Sequence, residues 1–106
     1  MNAMQFLRTL PARVSPESIK DSNTCFHFDL SGEGGGQLTI WIENGIIEVL
    51  DGLHHAPKCV VNAKAENFMK VVNKELNPLM ALLTGKVRVS DQRELTKYAR
   101  VFGLMK

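Results

Sequence analysis

The sequence predicts an α+β domain, and three observations carry that reading. Between Thr24 and Leu50 apolar and polar residues alternate with a period of two, as half-buried strands require. Asn44-Gly45 interrupts the alternation with a pair of residues suited to a tight hairpin turn. From Phe68 onward the apolar spacing changes to three and four, the period of a helix. The 106 residues suffice for one hydrophobic core, so residues 1–106 are read as one domain.

The elements follow in order. Met4, Phe6, Leu7 and Leu10 recur at helical spacing, and Pro11 is expected to end that helix. Ser15-Pro16 looks like the start of a second, short helix, with the serine as cap and the proline at the first helical position. In the first strand Phe26, Phe28 and Leu30 point one way, and Cys25, His27 and Asp29 the other. A glycine-rich turn, Ser31 to Gly36, leads into a second strand that presents Leu38, Ile40 and Ile42 on one face. A third strand runs from Ile46 to Leu50, completing an antiparallel meander. After a loop from Asp51 to Pro57, Lys58–Ala63 reads as a fourth strand. Phe68, Val72 and Leu76 then mark a helix that stops at Asn77-Pro78, and Asn77 caps another carrying Leu79, Met80, Leu82 and Leu83. Gly85 is placed to end it. Lys86–Ser90 alternates as a fifth strand, and Asp91 with Glu94 resembles a capping box opening a final helix. That helix has an apolar stripe of Leu95, Tyr98, Ala99, Phe102 and Met105.

Composition excludes several classes of function. The net charge of +2 is too small to point to nucleic acid. No run approaches the ~18 apolar residues of a membrane span, and the first fourteen residues lack a signal-peptide core. A soluble cytoplasmic protein is the expectation. Two cysteines, Cys25 and Cys59, make no disulfide framework and are expected to be reduced.

The Leu79–Leu83 helix is apolar on nearly every side, so it must be buried all round or border something apolar. Three passages bear on which. They are Ser31-Gly32-Glu33-Gly34-Gly35-Gly36 with the Trp41 strand and Asn44-Gly45; Cys59–Ala63 running into Ala65-Glu66-Asn67-Phe68; and Asn77-Pro78-Leu79-Met80-Ala81-Leu82-Leu83-Thr84-Gly85-Lys86-Val87-Arg88-Val89. In this order and spacing they resemble the sterol carrier protein 2 family in its small, stand-alone bacterial form. The resemblance covers Thr24 to Met105. One departure stands out: where the family has a glycine-aspartate turn, this chain has Ser90-Asp91-Gln92-Arg93-Glu94.

The resemblance implies a five-stranded mixed sheet, the meander plus two further strands, covered on one face by helices. An apolar cavity would lie between the layers and hold a fatty acid, acyl-CoA, sterol or isoprenoid, which such proteins bind and move without transforming. Its walls are expected from Phe26, Phe28, Ile40, Ile42, Phe68, Val72, Leu79, Leu82 and Leu83, with the final helix adding Leu95, Tyr98 and Phe102 as a lid. A dry cavity of about 300 Å³ would cost on the order of 7 kcal/mol, at about 24 cal/mol per Å³. That is a large part of a typical stability of about 5–15 kcal/mol, so the pocket should be filled, hydrated or partly collapsed. Arg93, Lys97 and Arg100 form a basic patch suited to an anionic membrane surface or an acyl-CoA phosphate.

No other chemistry is well supported by pattern. Cys25, His27, His54, His55 and Cys59 lack the spacings of a zinc site. Gly32–Gly36 joins two strands and so offers no helix N-terminus to a phosphate. No nucleophile has a paired base, and neither catalysis, cofactor nor metal is expected. The competing readings are an interaction module or homodimer that covers the apolar helices, and an accessory domain to an enzyme acting on apolar substrates.

Overall fold

The alternation between Thr24 and Leu50 folds as a three-stranded antiparallel meander in the computed structural model, which describes residues 1–105. Its strands are β1 (Asn23–Ser31), β2 (Gly36–Glu43) and β3 (Ile46–Asp51). The register places Phe26 opposite Ile40 and Phe28 opposite Leu38, with Ile40 in turn opposite Val49. β4 (Cys59–Lys64) pairs with the other edge of β1 in parallel, Phe26 against Cys59 and Phe28 against Val61. β5 (Val87–Val89) closes that side antiparallel to β4. The sheet is therefore mixed and five-stranded, in the order β3-β2-β1-β4-β5. β1 lies at its centre because Phe26, Phe28 and Leu30 need cover and both its edges need partners.

The helices are α1 (Ala3–Arg8), α2 (Leu10–Arg13), α3 (Ala65–Val72), α4 (Pro78–Leu83) and α5 (Gln92–Tyr98). Phe6, Leu7, Phe68, Tyr98 and Phe102 bury themselves with Phe26, Phe28, Leu38, Ile40, Ile42 and Val61. Phe26 and Phe28 carry a cluster of rings in which Tyr98, Phe102 and Phe68 meet them edge-on, with centroids 5.2–6.4 Å apart. Phe6 packs edge-on against Phe68 at 6.1 Å. No helix among the described residues is long and apolar enough to cross a membrane.

Several elements end differently from the sequence expectation, each for a local reason. Pro11 does not terminate α1. Thr9 caps that helix, and Pro11 sits in the first turn of α2, where its missing N–H is not needed. Ser15 makes no side-chain cap, and Pro16–Ile19 is a single 3₁₀ turn. α3 stops at Val72, leaving Leu76 outside it, because Lys74 takes a left-handed conformation with φ 64°. Met105 lies off the final apolar stripe. Gly103, at φ 78°, reverses the chain after Phe102 and brings Leu104 into the core instead.

The chain crosses from β3 to β4 over the sheet face away from the helices. This strap, residues 52–58, covers the polar side of β1 and β2. Thr39 Oγ1 donates to Gly52 O at 2.8 Å and accepts from His54 N–H at 2.9 Å. His27 Nε2 lies 2.7 Å from His54 O, which places a proton on that nitrogen. Thr39 and His27 are buried as a result, and β1 is covered on both faces.

Phe28→Ala is expected to lower the unfolding free energy by about 3–5 kcal/mol, the range for a buried aromatic. Leu83→Ser, on the surface, should change it by less than about 0.5 kcal/mol. Urea unfolding with unchanged slopes checks both.

Candidate functional site

An apolar pocket lies where α3, α4 and α5 meet the β4–β5 end of the sheet. Val61 and Val87 form its floor, and Phe68 and Val71 of α3 one wall. Pro78, Ala81 and Leu82 of α4 form the second wall, and Leu95, Ala99 and Leu104 the third. Its volume is about 40 Å³ and every lining residue is apolar. α4 is held at its start by Asn77, whose Oδ1 accepts from Leu79 N–H at 2.8 Å and Met80 N–H at 3.3 Å. It contributes little to the core. Ala81 is its only buried residue, while Leu79 and Leu83 are 63% and 71% exposed.

The start of α5 is fixed by polar contacts. Ser90 Oγ accepts from Val60 N–H at 2.7 Å, in the place where a glycine would offer no side chain. Asp91 Oδ1 accepts from Arg93 N–H at 3.0 Å and Glu94 N–H at 3.1 Å. Glu94 does not complete the capping box. Its carboxylate turns inward to accept from Thr24 Oγ1, and Lys97 Nζ lies 3.5 Å from its outer oxygen. Cys59 Sγ donates to Asp91 O at 3.4 Å.

The model of the SCP-2 sterol transfer family matches residues 4–102. The chain belongs to that family. The family is described as one of sterol transfer. The chain is 26% identical over 104 residues to hydroxysteroid dehydrogenase-like protein 2 of Danio rerio, covering 96% of this chain and 25% of that protein. Its fold is similar to that of the stereoselective inverting sec-alkylsulfatase Pisa1 from Pseudomonas sp., with a TM-score of 0.75, 16% identity and coverage of 98% of this chain and 16% of that one. Palmitated SCP2L2 from Aedes aegypti gives a TM-score of 0.70 at 22% identity, covering 96% of this chain and 95% of that one. The sterol-carrier fold thus spans nearly the whole of one neighbour and about a quarter or less of two longer proteins.

Of the wall residues expected in this sterol-carrier chain, Phe68, Leu82 and Leu95 line the pocket together. Phe26, Phe28, Ile40, Ile42, Tyr98 and Phe102 are buried in the core. Val72 faces a different cleft, beside Phe6 and Lys74. Leu79 and Leu83 face outward, because a six-residue helix seated on Ala81 and Leu82 has only one buried side. Residues missed by sequence reasoning include Ala81, Ala99, Val61 and Val87. A signal was present for Ala81, the one small residue in an otherwise bulky helix.

Cys25 and Cys59 sit on adjacent strands but point to opposite faces of the sheet. Cys25 Sγ lies 3.7 Å from His54 O under the strap, whereas Cys59, opposite Phe26, faces the helices. Burial pushes both thiols above their ordinary pKa, and for Cys59 the nearby Asp91 and Glu94 charges add to the rise, against hydrogen bonds to Asp91 and Ser90. A raised pKa means less thiolate at a given pH. Iodoacetamide at pH 8 should therefore label both cysteines much more slowly in the native protein than in urea, with mass spectrometry as the readout. The same sign makes folding less favourable as pH rises above the ordinary thiol range, where the unfolded chain ionises first.

Proposed function

We propose that this chain binds and carries a lipid-like ligand, a fatty acid, acyl-CoA, sterol or isoprenoid, without transforming it. The observation that carries this reading is the pocket between α3, α4 and α5, whose whole lining is apolar. Such a lining offers hydrocarbon no competing polar contact, and each buried CH₂ contributes about 0.8 kcal/mol. Family membership supports the same class of ligand, and one neighbour of the same fold and nearly the same length is palmitated.

At about 40 Å³ the pocket is smaller than a lipid chain, so binding widens it. The energetics favour this arrangement. A dry volume of that size costs about 1 kcal/mol, against about 7 kcal/mol for 300 Å³. The yielding wall is α4, which has one buried residue and sits between a polar cap at Asn77 and Gly85 at φ 73°. α5 is tied to the sheet by Glu94, Ser90 and Asp91 and stays in place. The exposed side chains of Arg93, Lys97 and Arg100 supply a positive edge for contact with an anionic membrane or an acyl-CoA phosphate.

Native mass spectrometry of protein purified from cells is expected to show a co-purifying lipid mass. A bare dimer that fails to displace a fluorescent fatty-acid probe would replace this reading with that of an interaction module. Among variants, Leu82→Glu should reduce probe affinity at least about tenfold, because a carboxylate in an apolar pocket lacks partners. Leu83→Glu, one residue on and facing outward, should leave it within about twofold.

A further inference from the structure

A second cavity, about 460 Å³, opens on the other side of α3. Phe6, Met69 and Val72 form its apolar part, and Arg13, Lys74 and Gly103 its polar part. The two cations converge on one peptide unit. Lys74 Nζ donates to Gly103 O at 3.1 Å. A guanidinium nitrogen of Arg13 lies 3.7 Å from where a Cβ on Gly103 would stand. Arg13 also sits over the Phe6 ring, 5.0 Å from its centroid. Arg13 and Lys74, like Lys58, Lys64, Lys86, Arg88, Arg93 and Arg100, have no carboxylate partner among the described residues; what sets these two apart is that they meet at Gly103. Both side chains are exposed, and two cations gathered with no counter-charge among the described residues repel one another, which an anion between them relieves.

The backbone gives an independent observation. Lys74 occupies the left-handed position that closes α3: its N–H bonds to Val71 O at 3.1 Å, and Glu75 N–H bonds to Lys70 O at 2.8 Å. Glycine fits that position with least strain. Lysine forgoes this ease and gains a cation directed at Gly103.

We propose that Arg13 and Lys74 seat the oxyanion head group, carboxylate or phosphate, of a single-chain lipid whose hydrocarbon occupies the apolar pocket. This rests on the lipid-binding reading above. The two cavities share a wall: α3 gives Phe68 and Val71 to one and Met69 and Val72 to the other, and Leu104 and Gly103 divide the same way. The apolar pocket has no group to receive a charge, so a charged head must be held outside it. Arg93, Lys97 and Arg100 line neither cavity.

The test compares dodecanoate, dodecyl phosphate and dodecanol, which share a chain and differ in the head. Wild type is expected to bind at least one of the anions about tenfold more tightly than the alcohol. Arg13→Gln and Lys74→Gly should each erase most of that preference and leave dodecanol unchanged. Lys74→Gly suits the left-handed backbone, so loss of fold does not confound it. The tighter anion identifies the head group. Equal binding of all three probes, or equal weakening of all three in the variants, overturns the head-group seat while the lipid-binding reading stands. If no chain probe binds, that reading falls, and the head-group proposal falls with it. Inorganic phosphate, followed by the amide signals of Gly103 and Lys74, then decides whether a bare anion site remains. Phosphate binding as tight as that of dodecyl phosphate would also overturn the lipid assignment, in favour of a site for the free ion.

Discussion

The edge-on packing of Phe68, Tyr98 and Phe102 against Phe26 and Phe28 of β1 is the contact on which the rest of the molecule depends. It joins the central strand to α3 and to the segment that begins at α5. It also fixes which face of β1 the helices cover. The opposite face must then be closed by something else, since β1 carries backbone and side-chain polar groups that cannot be left buried and unpaired. The strap between β3 and β4 does this, with His54 and Thr39 forming its hydrogen bonds. A parallel β4 beside β1 requires such a crossover. One strand's need for cover on two faces and partners on two edges thus accounts for the helix layer, the strap and the mixed sheet together.

The same constraint decides where the core is thinnest. Near Phe26 and Phe28 the core is filled with interlocking rings, and opening a volume there would disrupt contacts from several elements at once. At the β4–β5 end the filling is thinner: two valines below, small alanines at positions 81 and 99, and a short helix above. Small residues at facing positions lower the cost of separating the layers, because each loses few contacts when they part. The apolar site therefore lies at the periphery of the core.

Much of the fold was legible in the sequence because β-strands with one buried face impose a strict period. A one-residue slip between Phe26-x-Phe28-x-Leu30 and Leu38-x-Ile40-x-Ile42 would turn one set away from the core, and Asn44-Gly45 sets the next turn, from β2 to β3. That the sheet is mixed came from family resemblance, and the parallel pairing of β4 with β1 from the structure, because no local pattern specifies which strand a distant one will pair with. The wall residues were less legible. Alternation and helical spacing report which side chains are buried, and a pocket lining uses the same residue types as solid core. Thus Phe68, Leu82 and Leu95 line the pocket, while Phe26, Ile40 and Ile42, identical in pattern, pack within the core. Leu79 and Leu83 show the reverse difficulty. Their apolar character suggested burial, but a helix of six residues has too little underside to bury them. The helix end at Val72 and the reversal after Phe102 were hidden for another reason: each is set by one left-handed residue, Lys74 and Gly103, that apolar periodicity does not register.

The segment Ser90–Glu94 settles how the two helices over the pocket differ. A glycine at position 90 would leave Val60 N–H without its side-chain acceptor, and an apolar residue at 94 would leave Thr24 without the carboxylate it donates to. With both present, three consecutive strands of the sheet are tied to one short stretch: β1 through Thr24, β4 through Val60 and Cys59, and β5 through the chain itself. Moving α5 would break several polar contacts together, and the buried one, Thr24 to Glu94, is costly to leave unmade. Moving α4 breaks mainly the contacts of Ala81 and Leu82. The polar groups thus tie α5 to the sheet by more contacts than hold α4.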